Sequence, residues 1–533
     1  MSKPLAMSAE AARQGGPYDS TASTASVLAK TSVPRGLFSF AAMLGMCLVA
    51  RVFYVLRSFN VDPDLWWHIK YGQSILSTHH WPTIEQYSFT AGGQHWLAYE
   101  WLGDVLLAAT YQAGGLRGLG ALLIILGSLF ALALYYYTTI RCGNPKAAFL
   151  ATALLINLVN GFNLRPQMLG YLCVILTLIV LERFRQGQRG VVWLLPPLML
   201  VWVNMHGSWI IGLGTIGVYL ASGLITIHLG SLEMKSWSVL ERRHLTFAFL
   251  LSAIATLITP YGAGLAKFPF IVSSSPLGVA NVQEWQSMAF NLPGDKLFLA
   301  LLIGFLLVQA LLRPKWRLQE LCLFLFGTVM ACMHVRFLSL FVPFFSPLFA
   351  VILATWVPKY DRAKEFYALN AAIILGLAGA MAWYFPTRSD YSRMVEQNFP
   401  VAAVQYLNAH SVPGPMYNSY EFGGYLLWAR GPEHKVFIDG RTEVYERMGV
   451  FQDQIALVNL KPGSLAILQK YNIQSCLLTP GEALSTVLAV LPEWHKLYED
   501  GRAVLFVRRQ IDPLQTPGVS AARSNRDGAG AGT

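Results

Sequence analysis

The sequence predicts a polytopic α-helical membrane protein that carries a soluble α/β domain at its C-terminal end. Three observations predict it. Of 533 residues, 54% are hydrophobic and 13% charged, about half the ~25% charged share of soluble domains. Apolar runs long enough to cross ~30 Å of hydrocarbon recur up to residue 385. From about 386 onward, short apolar stretches alternate with helical patterns instead. A water-soluble enzyme of this length is excluded.

Residues 1–35 are rich in Ala, Ser, Thr and Gly without apolar period, which predicts a disordered cytoplasmic leader. The run Leu37–Leu56 lacks a small-residue cleavage site and is expected to remain as an anchor. Further spans are expected at 119–139, 147–163, 168–183, 191–205, 208–229, 244–260, 297–312, 318–334, 337–357 and 366–385, about eleven transmembrane helices in all. The apolar helical segment 97–113 is short for a span and carries Glu100 and Asp104 one turn apart, so it is placed flat on the membrane surface with both acids on its wet face.

Charge tests that choice. Lys and Arg concentrate at the cytoplasmic ends of spans. With 97–113 left out, Arg141 and Lys146, Arg183, Arg185 and Arg189, Lys235, Arg242 and Arg243, Arg313, Lys315 and Arg317, and Lys359, Arg362 and Lys364 all fall inside. The net charge of +11 is then largely topological, and nucleic acid is excluded as a partner. The N-terminus faces the cytoplasm, while 57–118, 261–296 and everything after 386 face outward, as expected for a multi-pass protein of a bacterial inner membrane. Six cysteines show neither a disulfide framework nor zinc spacing.

In the tail, KVFID (435–439), SCLLT (475–479) and AVLFV (503–507) are expected strands, and 399–409, 449–459, 463–471 and 482–491 expected helices. A hairpin turning at Asp500 and Gly501 closes the domain at about 510, and 511–533 is expected to be disordered.

Ionisable residues are nearly absent from mid-span positions, which disfavours a proton-coupled transporter. They gather at the outer ends. The first outer loop opens VDPDLWWHIKYGQSIL, and a helix starting near Asp64 puts Asp64 and His68 on one face. Two roles fit Asp64: a helix cap, with Trp66 and Trp67 as interface anchors, or a surface-held general base or metal ligand, with Asp62 as its auxiliary and His68 and Lys70 near an anionic group.

The order D-L-W-W-H-I-K, placed just after one transmembrane helix, resembles the acidic first-loop motif of GT-C membrane glycosyltransferases. Its nearest form is the D-P-Y-Y-H-L-R of oligosaccharyltransferase catalytic subunits. The resemblance implies a GT-C-like fold, a catalytic or metal-binding role for Asp64, a polar partner in His68 and a basic position at Lys70. It also implies transfer of a sugar or glycan from a polyprenyl-phosphate-linked donor to an acceptor glycan, lipid or protein at the outer face. A divalent cation, Mg²⁺ or Mn²⁺, would fall to Asp62 and Asp64.

Such a reaction needs cations for the departing phosphate. Arg165 in NLRPQ and Arg336 in MHVRFL suit it, since a guanidinium bonds two oxygens at once; snorkelling to lipid headgroups explains both equally. His206 and His334 are candidate assistants or satisfied interface histidines, and Glu284 in VQEWQS either resembles the acid of the mobile outer loop that completes family sites or is a solvated loop acid. In the tail, NSYEFGGYLLW is similar to the acceptor-reading W-W-D-Y-G signature, but Ser419 and Tyr420 stand in place of the tryptophans and Glu421 in place of Asp. Gly423 and Gly424 then serve close packing or positive φ. Asp439 and Arg441, just after an expected strand, either present a ligand site or form a local ion pair. Two other functions stay open at this point: a lipid-glycan transporter or flippase, and a non-catalytic scaffold of an envelope-polysaccharide assembly.

Overall fold

The computed structural model describes residues 36–58, 61–159, 162–273 and 276–509. The leader 1–35 and the tail 511–533 lie outside the described residues. The chain is a helical membrane protein with a C-terminal sheet domain.

In chain order the helices are α1 (Phe40–Leu56), α2 (Leu65–Thr78), α3 (Trp101–Cys142), α4 (Pro145–Leu155), α5 (Gln167–Arg185), α6 (Leu195–Met205), α7 (Trp209–Ser222), α8 (Val239–Ala255), α9 (Ala263–Ser273), α10 (Pro276–Asn281), α11 (Pro293–Leu312), α12 (Leu318–Met333), α13 (Leu338–Trp356) and α14 (Tyr367–Trp383). Each expected span overlaps one of these helices or, for 119–139, the second half of α3. Among the described residues, α3, α5, α11 and the run Val335–Trp356 are long and apolar enough to cross a membrane by length and composition. The pair Tyr367–Trp383 and Arg388–Asn398, bent by 62°, would make a fifth.

Besides α8, which runs Val239–Ala255 against the expected 244–260, boundaries differ from expectation in three notable places. The expected span 208–229 stops at Ser222, and the chain turns into an antiparallel hairpin of β1 (Ile227–Leu229) and β2 (Leu232–Met234); an apolar run does not by itself distinguish helix from strand. Helix 147–163 ends at Leu155 in a short 3₁₀ turn to Leu158. The surface segment and the following span form one 42-residue run broken at Gly115, whose φ of 57° and ψ of −148° are open only to glycine.

After α14 come α15 (Arg388–Asn398) and α16 (Val401–Ala409), then β3 (Met416–Asn418) and α17 (Gly423–Arg430). With β4 (Ser475–Leu478), β5 (Trp494–Glu499) and β6 (Val504–Arg508), β3 forms a sheet of order β3-β4-β6-β5, parallel at β3/β4 and antiparallel elsewhere. The expected strand KVFID is instead an irregular segment joined to the first outer loop by one bridge, Ser88 to Val436. Its backbone partners lie in another part of the chain: Val436 N donates to Tyr87 O at 2.9 Å, and Thr90 Oγ1 donates to Phe437 O at 2.6 Å.

The tail is thereby clamped over α2. Trp66, expected as a lipid-interface anchor, is 1% exposed and packs edge-on against Phe399 and Tyr425 and tilted on Trp428. Gly424 meets the loop so closely that a Cβ would stand 2.4 Å from Pro63 O. Its φ is ordinary for a helix, so close packing explains this glycine.

Candidate functional site

The segment Asp62-Pro63-Asp64 fixes the site. Asp62 Oδ1 accepts from Asp64 N at 2.9 Å, an Asx turn that launches α2. Asp64 occupies the N-cap position, yet its side chain makes no cap hydrogen bond. The carboxylate is spent elsewhere: Oδ2 lies 3.0 Å from Arg165 Nη2.

Arg165 arrives on the loop before α5 and gathers three acids. Its Nη2 is 2.7 Å from Asp62 Oδ1, and its Nη1 is 3.2 Å from Glu284 Oε1 in the second outer loop. Asn163 Nδ2 holds the other Asp62 oxygen at 3.0 Å. One guanidinium thus faces three carboxylates, leaving excess negative charge. Burial pushes the Asp64 carboxyl up to about 7, against the pull of Arg165 and with the help of Asp62. The Asp64 side chain nonetheless keeps 18% of its surface exposed, so the acid is reachable.

The tail reaches the same carboxylate. A Cβ on Gly440 would stand 1.8 Å from Asp64 Oδ1, so only glycine leaves room for it. Tyr420 OH donates to Gly440 O at 3.3 Å and holds this approach. Glu421 is exposed, with Asp62 and Arg165 as its electrostatic neighbours.

Behind Asp64 runs a buried row of carboxyls and imidazoles. His68 Nδ1 and Asp104 Oδ1 share a hydrogen bond of 2.6 Å, and His68 Nε2 is 3.6 Å from Glu100 Oε2. Glu100 Oε1 is 3.3 Å from His206 Nε2. His206 Nδ1 accepts from Ser208 N at 3.0 Å, which assigns the ring proton to Nε2 and points it at Glu100. Burial raises Glu100 to about 8 and, with Arg336 and Arg165, lowers His206 to about 3. Glu100 and Asp104, expected on a wet face, are 8% and 0% exposed. Their segment is buried because α2 and α3 meet at backbone distance: a Cβ on Gly72 would stand 2.0 Å from Asp104 O.

The remaining candidates fall into two groups. Arg336 lies 4.4 Å over the Trp285 ring and reaches Gln167 Oε1 at 3.4 Å, while His334 Nδ1 donates to Trp285 O at 2.7 Å. Both therefore hold the loop carrying Glu284. Lys70, Asp439 and Arg441 serve the tail's attachment instead. Lys70 Nζ donates to Gly431 O at 2.7 Å. Arg441, with no exposed side-chain surface, bonds Asp439 Oδ1 at 2.7 Å and Oδ2 at 2.5 Å and pairs with Glu85 and Tyr71 of the outer loop.

Asn163 and Gly440 complete the site without having been marked in the sequence, and Glu100 was expected there only as part of a wet helix face. No spacing signals them, since each reaches Asp64 or its partners through tertiary packing. Among the described residues no group of three or more His, Cys, Asp or Glu is arranged to hold a metal. The space between Asp62 and Asp64 is filled by Arg165, so the donor set as arranged fits a guanidinium and not a divalent cation.

No family model matches the sequence, and no curated protein matches it. Among solved structures, the chain is similar to the Archaeoglobus fulgidus oligosaccharyltransferase tethered with an acceptor peptide, at 12% identity over 89% of this chain and 75% of that one, TM-score 0.49. It is also similar to ArnT from Cupriavidus metallidurans bound to undecaprenyl phosphate, at 13% identity over 87% and 97%, TM-score 0.49. The archaeal oligosaccharyltransferase AglB in complex with an inhibitory peptide and a dolichol-phosphate gives 11% identity over 88% and 74%, TM-score 0.43. At these identities and TM-scores the likeness is distant, and the chemistry rests on this chain's own residues.

Proposed function

We propose that the chain transfers a sugar or glycan from a polyprenyl-phosphate-linked donor to an acceptor glycan, lipid or protein at the outer face of a bacterial inner membrane. One observation carries the reading: a carboxylate at a helix N-cap forgoes its cap and meets an arginine from a distant loop. A structural cap would bond the free amides of α2. In this scheme Asp64 takes the acceptor's proton as the acceptor oxygen or nitrogen bonds the anomeric carbon. The bond from that carbon to the phosphate oxygen breaks, and its electron pair leaves on the polyprenyl phosphate.

Arg165 is suited to receive that charge. Its Nε is buried with no hydrogen-bond partner among the described residues, and an unmet buried donor costs about 1–3 kcal/mol that a phosphate oxygen would recover. Arg336 supplies a second cation beside the Glu284 loop. A carboxyl near 7 is poised for proton transfer at neutral pH.

The test is Asp64→Asn in purified protein supplied with a polyprenyl-phosphate sugar. Transfer is expected to fall by at least about 10²-fold, the lower bound for losing an acid–base group, with expression and membrane insertion unchanged. Full activity in the variant would remove Asp64 from the chemistry.

A further inference from the structure

At the C-terminal end of α17, away from the end that packs on Pro63, lies an open groove of about 970 Å³ that the proposed reaction does not use. Its walls are the loop 410–416 leading into β3, the C-terminal end of α17 with residues 433–435, and Phe89 of the first outer loop. That volume is at the top of the range for small-molecule sites, roughly 300–1,000 Å³.

The lining is polar and carries fixed positive charge. Arg430 is braced by Asn408, whose Oδ1 accepts from Nε at 3.0 Å, and by Leu407 O, which accepts from Nη2 at 3.2 Å. That bracing leaves Nη1 with no protein hydrogen bond among the described residues. Lys435 is exposed and makes no ion pair among the described residues, and the imidazole of His434 lines the groove beside it, whereas His410 spends its Nδ1 proton on Tyr406 O at 3.0 Å. Glu433 is the one acid among the lining residues. Phe89 and Pro413 contribute flat apolar faces of the kind on which a sugar ring's C–H face rests. Prearranged guanidinium, mobile ammonium and apolar platform together match a saccharide bearing carboxylates.

The groove is tied mechanically to the reactive acid. One end of α17 packs on Pro63 through Gly424, and the other end supplies Arg430. Eight residues of helix span about 12 Å, a distance that a glycan chain can bridge. Lys70, on the helix that Asp64 begins, holds the groove rim through Gly431 O.

We propose that this groove is a distal subsite for an acidic saccharide, holding a uronate-bearing stretch of the acceptor while its growing end reaches Asp64. The assignment as acceptor rests on the glycosyltransferase reading; binding itself does not. The experiment is calorimetry on the full chain in nanodiscs of zwitterionic lipid, with hexagalacturonate as probe and maltohexaose and inorganic phosphate as comparisons. Hexagalacturonate is expected to bind at least tenfold more tightly than either comparison, and Lys435→Glu and Arg430→Gln each to weaken it at least fivefold. Lys435 is exposed, so its variant reads binding even where loss of the Arg430 brace disturbs the fold. Asp64→Asn is expected to bind the probe as the unaltered chain does, which separates the groove from the catalytic proposal. Equal binding of maltohexaose, phosphate binding as tight as the hexasaccharide, or an unchanged Lys435→Glu would each overturn the assignment. Displacement of the probe by vesicles containing anionic lipid would assign the groove to headgroups and overturn it as well.

Discussion

Asp64 differs from an ordinary helix-capping aspartate in its environment alone. Its carboxyl is desolvated, crowded by Asp62 and opposed by one shared guanidinium, and it titrates near 7 rather than 3.8. If the ionised form is the active one, transfer should fall about tenfold per pH unit below that point and level off above it, which a pH–rate profile measures. The stability consequence has the opposite sense. A carboxyl whose folded pKa is raised binds its proton more tightly in the fold, so stability falls as pH rises from about 4 to about 7. Glu100, raised to about 8, makes stability fall with rising pH in the same direction. Thermal unfolding at pH 5 and pH 8 should show this decline, and Asp64→Asn should shrink it. Gly440→Ala offers a subtler probe: its methyl would occupy the position of Asp64 Oδ1, so transfer should drop nearly as far as in Asp64→Asn while the tail's sheet remains folded. The acidic motif was legible because its members are neighbours in sequence. Gly440 was not, because its role exists only once a segment 376 positions later is folded back onto the loop.

At the scale of elements, α3 shows how one residue separates two environments. Its first half lies against α2 and holds Glu100 and Asp104 in the buried row, and its second half continues as an apolar helix. Gly115 makes the break with a backbone geometry that an L side chain adopts only under strain of about 1–3 kcal/mol. Gly115→Ala should therefore lower the unfolding temperature and reduce transfer, although nothing lies within 4 Å of the added methyl. Helix periodicity and length foretold both halves of α3 and the apolar helices α4–α8 and α11–α14, but not α9 and α10 in the second outer loop. What they could not foretell was hydrogen bonding that crosses the chain. KVFID reads as a strand by composition, yet Val436 and Phe437 bond the outer loop and the segment never joins the sheet. Likewise Glu100 and Asp104 look like a solvated face until α2 closes over them with Gly72 at backbone contact.

For the whole molecule, the tail is fastened over the first outer loop. Arg441 is the fastening: its guanidinium satisfies Asp439, Glu85 and Tyr71 and lies 5.0 Å over both the Tyr71 and Trp96 rings, with no exposed surface. Removing one partner from a buried ionic cluster costs about 3–5 kcal/mol. Arg441→Met should accordingly loosen the tail from the loop, detectable as faster proteolytic cleavage near residue 386 and lost transfer with the membrane helices still folded. The change of composition near 386 was visible in the sequence, but that the tail closes the site was not, since no local pattern encodes which surface a domain will cover. Order of synthesis then acquires meaning. Asp64 leaves the ribosome hundreds of residues before Gly440 and Arg441, so a half-translated chain already inserted among lipids holds the acid without its cover. The contacts that crowd Asp64 from Gly440 therefore exist only once the tail has folded back onto the loop.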